Sequence, residues 1–288
     1  SAISGSGEHV YQNMTFTSAI TALACLYPSG PSTVVTLSGC KFPKDPKDTM
    51  VFTIGFLSYS AGIDGTFRIA DGLTALGTGV YFGTSYSGSN RCGLTVTNGW
   101  LVASNEGSDI APSVGLQQLA LNLALGDRNT VSDANALIDL NGTMRLNKGS
   151  TLTVDAGRKD CGTYKLIRVT GVGTGADCLT FADLIANPTV TNVLEGKGAQ
   201  LVVVTDGDKE TGIDLVIRTK VAKPTVTTSF IYDETEKTAG GVATGYTVTG
   251  DKATNVGRYE FVATLADGYC WAGGSIAPYH VDWAIKAQ

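Results

Sequence analysis

The stretch 138–155, IDLNGTMRLNKGSTLTVD, decides the fold that the sequence predicts. Apolar residues stand two positions apart in three pairs, namely Ile138/Leu140, Met144/Leu146 and Leu152/Val154. Residues two apart lie on the same side of a β-strand, so each pair predicts a short strand with one face on a core. Asn141-Gly142 and Asn147-Lys148-Gly149 separate the pairs and supply the positive φ angles of tight corners. Such short strands with tight corners are typical of a β-solenoid.

The same pattern recurs on both sides of this stretch. The segment 94–103, LTVTNGWLVA, contains the corner Asn98-Gly99, and Trp100 follows that corner directly. Four leucines alternate strictly with small or polar residues, namely Leu119, Leu121, Leu123 and Leu125. A helix would need apolar spacings of three and four, which this segment lacks. The sequence therefore predicts an all-β chain.

A change of pattern at 220–224, KVAKP, is typical of a linker, because Pro224 opens a new run of β-branched residues. A chain of 288 residues also exceeds the length of a typical single domain. We therefore expect a solenoid domain over 1–220 and a smaller domain over 224–288. Trp271 and Trp283 are suited to fill the core of the smaller domain.

Composition and charge exclude several classes of partner. Only 16% of the residues are charged and 36 are glycine, which favours short strands joined by turns over helices. The net charge of -5 argues against nucleic acid or an anionic membrane as the main partner, because both need a dense cationic face. The longest apolar run, 19–27, is about half of the ~20 residues that span a bilayer. Neither nucleic-acid binding nor membrane insertion is predicted.

The six cysteines show no CxxC motif and no Cys/His cluster of the metal-binding type. No metal and no other cofactor is predicted. The separation of Cys161 from Cys178 is close to one short solenoid turn, which would stack the two residues on neighbouring rungs. Rungs lie about 4.8 Å apart, within the Cα range of a disulfide. The same spacing argument applies to Cys25 and Cys40, and the alternative for both pairs is small, buried, reduced thiols.

Catalytic patterns are weak in this sequence. The two histidines, His9 and His280, fall in different predicted domains, so a Ser/His/Asp or Cys/His arrangement would have to form across domains. Carbohydrate-active β-helix enzymes use clustered carboxylates with lysine or arginine on one face. The candidates for such a cluster are Asp133, Asp139, Asp155, Arg145 and Lys148. Nothing in their spacing separates them from ordinary outward charges, so the chain is predicted not to be an enzyme.

Three motifs over 139–219 occur in a recognisable order. They are NGTMRLNKGSTLTVDAG, GTYKLIRVTGV and QLVVVTDGDKETGIDLVIRT. This order of a glycine-bounded LTV strand, a GTY-L strand and a final hairpin resembles the end of autotransporter-like passenger β-helices. The resemblance implies a right-handed parallel β-helix. Such passengers usually have few cysteines, and the six cysteines of this chain depart from that pattern.

The segment 224–288 resembles a bacterial immunoglobulin-like repeat of large surface proteins. The matching residues are Tyr232, the GYTVTG motif, the run 255–259, Asp267-Gly268-Tyr269, Trp271 and Trp283-Ala284-Ile285. The resemblance implies a small immunoglobulin-like β-sandwich, which would have about the smallest core that folds alone.

The two resemblances together imply a secreted or cell-surface bacterial protein of adhesin type, with an extracellular glycan or protein ligand. Tyr81, Tyr86 and Trp100 are the candidate ligand-binding residues, since exposed ring faces stack on pyranose rings. The alternative for the segment with the two tyrosines is a core rung with a loose loop. A carbohydrate-active β-helix enzyme and a purely structural stalk remain the other hypotheses. Convergent charges in a cleft would indicate the enzyme, and smooth threonine-rich faces would indicate the stalk.

Overall fold

The computed structural model describes residues 2–3, 7–15, 25–28, 33–42, 52–54, 65–76, 80–83, 91–103, 114–116 and 118–288. The chain divides into two compact units. The first consists of Ser1–Lys159, Thr163–Val193 and Leu201–Val216, and the second consists of Asp160–Gly162, Leu194–Gln200 and Ile217–Gln288. The second unit thus includes two short segments that precede the linker predicted at 220–224.

The regular secondary structure of the described residues is almost entirely β-strand, as the sequence predicts. The strands up to the last hairpin are β1 (Ala2–Ile3), β2 (Gly7–Gln12), β3 (Cys25–Pro28), β4 (Thr33–Ser38), β5 (Lys41–Phe42), β6 (Phe52–Ile54), β7 (Thr66–Ala70), β8 (Leu73–Leu76), β9 (Val80–Gly83), β10 (Arg91–Thr97), β11 (Trp100–Ala103), β12 (Val114–Leu116), β13 (Gln118–Ala124), β14 (Ile138–Leu140), β15 (Thr143–Asn147), β16 (Thr151–Asp155), β17 (Gly162–Arg168), β18 (Gly171–Val172), β19 (Cys178–Leu179), β20 (Thr189–Thr191), β21 (Lys197–Asp206) and β22 (Lys209–Val221). The helix α1 (Phe181–Leu184) has four residues. Among the described residues, no helix has both the length and the apolar character of a membrane-spanning segment.

The first unit is a β-solenoid, because successive strands enter different sheets and pair in parallel with the strand one turn away. The first sheet has the order β1-β3-β6-β9-β12-β15-β18, and the second has the order β2-β4-β7-β10-β13-β16-β20. The third contains β5-β8-β11-β14-β17, after which β22 and β21 add a hairpin. The stretch 138–155 contributes β14, β15 and β16, one strand to each sheet, and all six of its paired apolar residues are buried. The solenoid prediction is therefore confirmed.

Stacked apolar side chains form the core of the solenoid. Leu94 pairs with Phe67 on one side and with Leu121 on the other, and Leu121 pairs with Leu152. All four are buried. Complete burial of such a side chain contributes roughly 1.5–3 kcal/mol, so a column of them is a large part of what holds the rungs together.

The length of one turn corrects the disulfide prediction. Stacked positions are 27 residues apart for Leu94 and Leu121 and 31 apart for Leu121 and Leu152, because a turn needs three strands and three corners. Cys161 and Cys178 are only 17 residues apart, so they do not occupy stacked positions. Both are free thiols, and Cys40 is also free. The side chain of Cys25 lies outside the described residues.

The second unit is also built from β-strands. They are β23 (Ser229–Ile231), β24 (Lys237–Thr238), β25 (Tyr246–Thr249), β26 (Lys252–Ala253), β27 (Gly257–Leu265), β28 (Tyr269–Trp271) and β29 (Tyr279–Lys286). One sheet has the order β23-β29-β27-β25, and β24 pairs with β26 in a second sheet. Trp271 and Trp283 are buried in the core, as the sequence predicts. Their indole Nε1–H groups donate to the carbonyl oxygens of Ala277 and Gly250, respectively.

Asp233, Thr235 and Lys237 form a polar turn in this unit. The Asp233 carboxylate pairs with Lys237 Nζ, and it also accepts hydrogen bonds from the hydroxyl and the backbone N–H of Thr235. These contacts stabilise the charged form of Asp233, and the hydrogen bond from Lys237 makes the largest contribution. Together they lower the pKa of Asp233 from its ordinary value of 3.8 to about 2.

We expect Lys237→Met to raise the pKa of Asp233 toward 3.8, because the substitution removes the largest cause of the shift. In the parent protein, the stabilisation from this carboxylate is fully present above its unfolded pKa and is lost as the pH falls toward about 2. An NMR titration of the Asp233 carboxyl carbon measures the midpoint in both proteins. A midpoint near 3.8 in the parent protein would contradict the contacts described.

Candidate ligand-binding site at the Trp100 corner

The corner between the second and third sheets is built from an Asx-Gly step on successive turns. Asp71-Gly72 joins β7 to β8, and Asn98-Gly99 joins β10 to β11. Asp71 and Asn98 adopt φ angles of 46° and 53°. Aspartate and asparagine tolerate this left-handed region better than other non-glycine residues, which explains their place at these corners.

Hydrogen bonds connect the corners of successive turns. Asn98 Nδ2 donates to Asp71 Oδ1 over 2.8 Å, and the backbone N–H of Arg128 donates to Asn98 Oδ1 over 2.9 Å. Arg128 Nη1 reaches back two turns and donates to the backbone oxygen of Asp71 over 3.2 Å. A Cβ at Gly99 would lie 2.6 Å from the backbone oxygen of Gly72, so only glycine fits this close stacking. Hydrogen bonds between successive turns therefore hold this edge of the solenoid in a fixed arrangement.

Trp100 begins β11 immediately after this corner. Its backbone N–H donates to the Gly72 oxygen over 2.9 Å, and it pairs in register with Leu73 of β8. Leu101 is fully buried, so Trp100 and Leu73 lie on the outward side of the sheet. Trp100 is half-buried and Leu73 is 39% exposed. We call Asp71, Leu73, Asn98, Trp100 and Arg128 the Trp100 corner.

The Trp100 corner combines groups that recognise ligands on protein surfaces. An indole and a leucine begin β11 and β8 on the outward side, and the turns just before them carry a carboxylate and an amide that are hydrogen-bonded to each other. The exposed Arg128 guanidinium donates to the backbone oxygen of Asp71 in the same corner. Tryptophan and arginine are enriched among the residues that contribute most to binding energy. The arrangement fits a ligand with one apolar face and several hydroxyl or carbonyl groups around it, since the ring face stacks and the polar groups hydrogen-bond.

The structure places the side chain of one of the three predicted binding residues. Trp100 is outward and half-buried, whereas Tyr86 lies outside the described residues. Tyr81 belongs to β9, but its side chain is also outside the described part of the chain. Sequence analysis missed Leu73 and Arg128. The repeated Asx-Gly-apolar pattern at 71–73 and 98–100 is a signal for Leu73, but no sequence pattern marks Arg128.

The carboxylates named for a carbohydrate-active enzyme hold turns in the solenoid. Asp133 Oδ2 accepts from the Thr130 N–H, and Asp139 Oδ2 accepts from the Ala136 N–H. Asp155 accepts from the Gly157 N–H and from Asn192 Nδ2. Arg145 and Lys148 lie on and just after β15. Among the described residues, no group of three or more histidine, cysteine, aspartate or glutamate side chains could hold a metal ion.

The outward face of the second sheet is rich in threonine. Its outward residues include Thr95, Thr97, Thr151, Thr153, Thr189 and Thr191, and none of them is buried. Toward the first turn the face carries an ion pair of 2.6 Å between Arg68 and Glu8. The Thr36 hydroxyl, and then Arg68, lower the pKa of Glu8. Apart from this ion pair, the outward residues named here are small and uncharged.

Known proteins do not place this chain in a family. No protein-family model, no curated protein and no solved structure matches the chain.

Proposed function

We propose that this chain is a secreted or cell-surface bacterial protein of adhesin type, which binds an extracellular glycan or protein ligand without catalysis. The observation that carries the proposal is the Trp100 corner, where a half-exposed indole lies beside Leu73 on a hydrogen-bonded edge. In this proposal the solenoid is a right-handed β-helix and the second unit is an immunoglobulin-like spacer. The resemblances of 139–219 and 224–288 support both assignments.

The rigidity of the corner supports a binding role. Ordering mobile side chains on binding costs about 0.5–1.5 kcal/mol for each of them, and a surface that is already ordered avoids this loss. Asn98 is held by Asp71 and by the Arg128 backbone, and Trp100 follows it directly on the strand. A stacked solenoid also gives a long, stiff surface that suits contact with an extended ligand.

A glycan is the ligand class that this corner fits best. The apolar face of a pyranose ring stacks on an indole, and its hydroxyl groups match the carboxylate, amide and guanidinium of the Trp100 corner. Removing a central tryptophan from such a contact typically weakens binding by about 2 kcal/mol or more, which is roughly 30-fold. We therefore expect Trp100→Ala to abolish detectable binding of a weak glycan ligand.

The test is binding of the whole chain to a broad array of glycans and extracellular-matrix proteins. We expect specific binding that Trp100→Ala removes and Trp100→Phe retains in part, because phenylalanine keeps a ring face. Val131→Ala is the matched control, since Val131 is 50% exposed in the same unit and lies outside the Trp100 corner. Equal binding by the parent protein and Trp100→Ala would place the site elsewhere.

A structural stalk without a ligand is the second candidate function, and the threonine-rich face of the second sheet favours it. Faces made of small, uncharged side chains offer few anchors for a partner. If neither the parent protein nor any variant bound a component of the array, the stalk would replace the adhesin proposal.

A further inference from the structure

Cys161 differs from the other described cysteines in its accessibility. Cys40 and Cys270 are buried and Cys178 is half-buried, whereas Cys161 is exposed. It belongs to the short segment Asp160–Gly162 of the second unit, and the last residue of this segment, Gly162, begins β17. An oxidant in solution therefore reaches Cys161 more readily than any of the other three thiols.

A lysine amine lies directly beside this thiol. Lys197 Nζ lies 3.2 Å from Cys161 Sγ, and Thr219 Oγ1 lies 3.1 Å from the same sulfur. Lys197 Nζ also donates to Thr219 Oγ1 over 3.2 Å, so the three groups form a closed triangle. All three belong to the second unit.

The backbone holds two members of this triangle, Lys197 and Thr219, in place. Lys197 begins β21 and Thr219 lies near the end of β22. The Thr219 N–H donates to the Gly268 oxygen and the Lys220 N–H donates to the Gly196 oxygen, each over 2.8 Å. Strand pairing thus fixes the backbone beside Lys197 and at Thr219, and the lysine amine bonds to both Cys161 Sγ and Thr219 Oγ1. Groups held in contact react as if at very high concentration.

We propose that Cys161 and Lys197 form a reversible covalent cross-link, a sulfenamide between Sγ and Nζ, when the protein meets hydrogen peroxide. The cross-link would fasten the segment Asp160–Gly162 to the first residue of β21. It does not depend on the proposed adhesin function.

The chemistry requires one equivalent of peroxide and balances in two steps. First, the Cys161 sulfur attacks one peroxide oxygen and the O–O bond breaks, so that the thiol becomes a sulfenic acid and the other oxygen leaves as water. The sulfur is oxidised by two electrons and the peroxide is reduced by two. Second, the neutral Lys197 amine attacks this sulfur. The S–N bond forms, the S–O bond breaks, and the hydroxyl leaves with a proton from nitrogen as a second water.

The cross-link requires an accessible thiol and an amine in contact with it. Each of the other described thiols lacks at least one of these. Burial raises the pKa of the Cys270 thiol, which leaves it protonated and less reactive. Cys40 is buried and donates to the backbone oxygens of Tyr11 and Ser38. The Sγ of Cys178 lies 4.0 Å from the amide oxygen of Asn147, which is not a nucleophile. We therefore expect the cross-link at Cys161 and not at the other three.

The experiment uses the whole chain, treated with hydrogen peroxide in small excess, alkylated at the remaining thiols and digested for mass spectrometry. We expect a linked pair of peptides that contains Cys161 and Lys197 and has lost two hydrogens. A thiol reductant should release both peptides unchanged. Lys197→Arg keeps the positive charge but removes the amine, so the linked pair should disappear. Cys178→Ser is the control and should leave the cross-link intact.

Three outcomes would overturn the proposal. In the first, Cys161 of the parent protein is oxidised to sulfinic acid and no linked peptide forms. In the second, Cys161 remains a free thiol after the peroxide treatment. The third is a link from Cys161 to a different lysine or to a second copy of the chain. Because the parent protein alone gives these readouts, the test stands even if a variant folds poorly.

Discussion

Replacing Gly157 by alanine should lower the free energy of unfolding of the solenoid by about 2–5 kcal/mol. Gly157 has a φ of +56°, and a Cβ there would lie 2.0 Å from the backbone oxygen of Leu125 on the neighbouring turn. The left-handed conformation costs an L-residue about 1–2 kcal/mol. Forcing extra atoms into a packed position adds typically about 1–3 kcal/mol.

Gly207→Ala is the matched control for this substitution. Gly207 has nearly the same conformation, with a φ of +58°, but no atom lies within 4 Å of the position of its Cβ. It should lose only the conformational part, about 1–2 kcal/mol. Urea denaturation followed by circular dichroism measures both. Equal losses in the two variants would mean that the turns do not stack as closely at Gly157 as described.

The second large effect is expected in the other unit, where Trp283→Ala should lower the free energy of unfolding by about 3–5 kcal/mol. Trp283 is 2% exposed. Its ring lies 4.9 Å from the ring of Tyr259 and 5.6 Å from that of Phe230, measured between centroids. The substitution would also leave the Gly250 oxygen without its indole donor.

The same urea experiment tests this prediction with two further variants. Trp283→Phe should lose less than Trp283→Ala, because it keeps most of the apolar contact and removes mainly the hydrogen bond. Val256→Ala, at a position that is 51% exposed, should change the free energy of unfolding by about 0.5 kcal/mol or less. A loss below about 1 kcal/mol for Trp283→Ala would contradict the core described for this unit.

The solenoid could be predicted because its strands follow a local rule. Alternation at 138–155 marks which residues face the core, and the Asx-Gly steps mark where the chain turns. Both signals can be read from residues that are close together in the sequence. The structure accordingly agrees with the predicted strands and with the burial of Trp271 and Trp283.

The length of a turn could not be predicted in this way. The corners and connections between strands carry no periodicity, so nothing local indicates that Leu94 stacks on Leu121 and not on another leucine. The expected pairing of Cys161 with Cys178 depended on that length, and it does not form. The places of Leu73 and Arg128 in the Trp100 corner also depend on the register between turns, as does the contact of Cys161 with Lys197.

The chain stacks turn upon turn in the register described, and the Trp100 corner exists only in that register. Methyl NMR of the whole chain tests it most directly, through nuclear Overhauser effects among Leu94, Leu121 and Leu152. Stacked strands lie about 4.8 Å apart, so we expect cross-peaks from Leu121 to both other leucines. If Leu121 showed no cross-peak to either residue, the parallel register would be wrong, and with it the corner on which the proposed binding site is built.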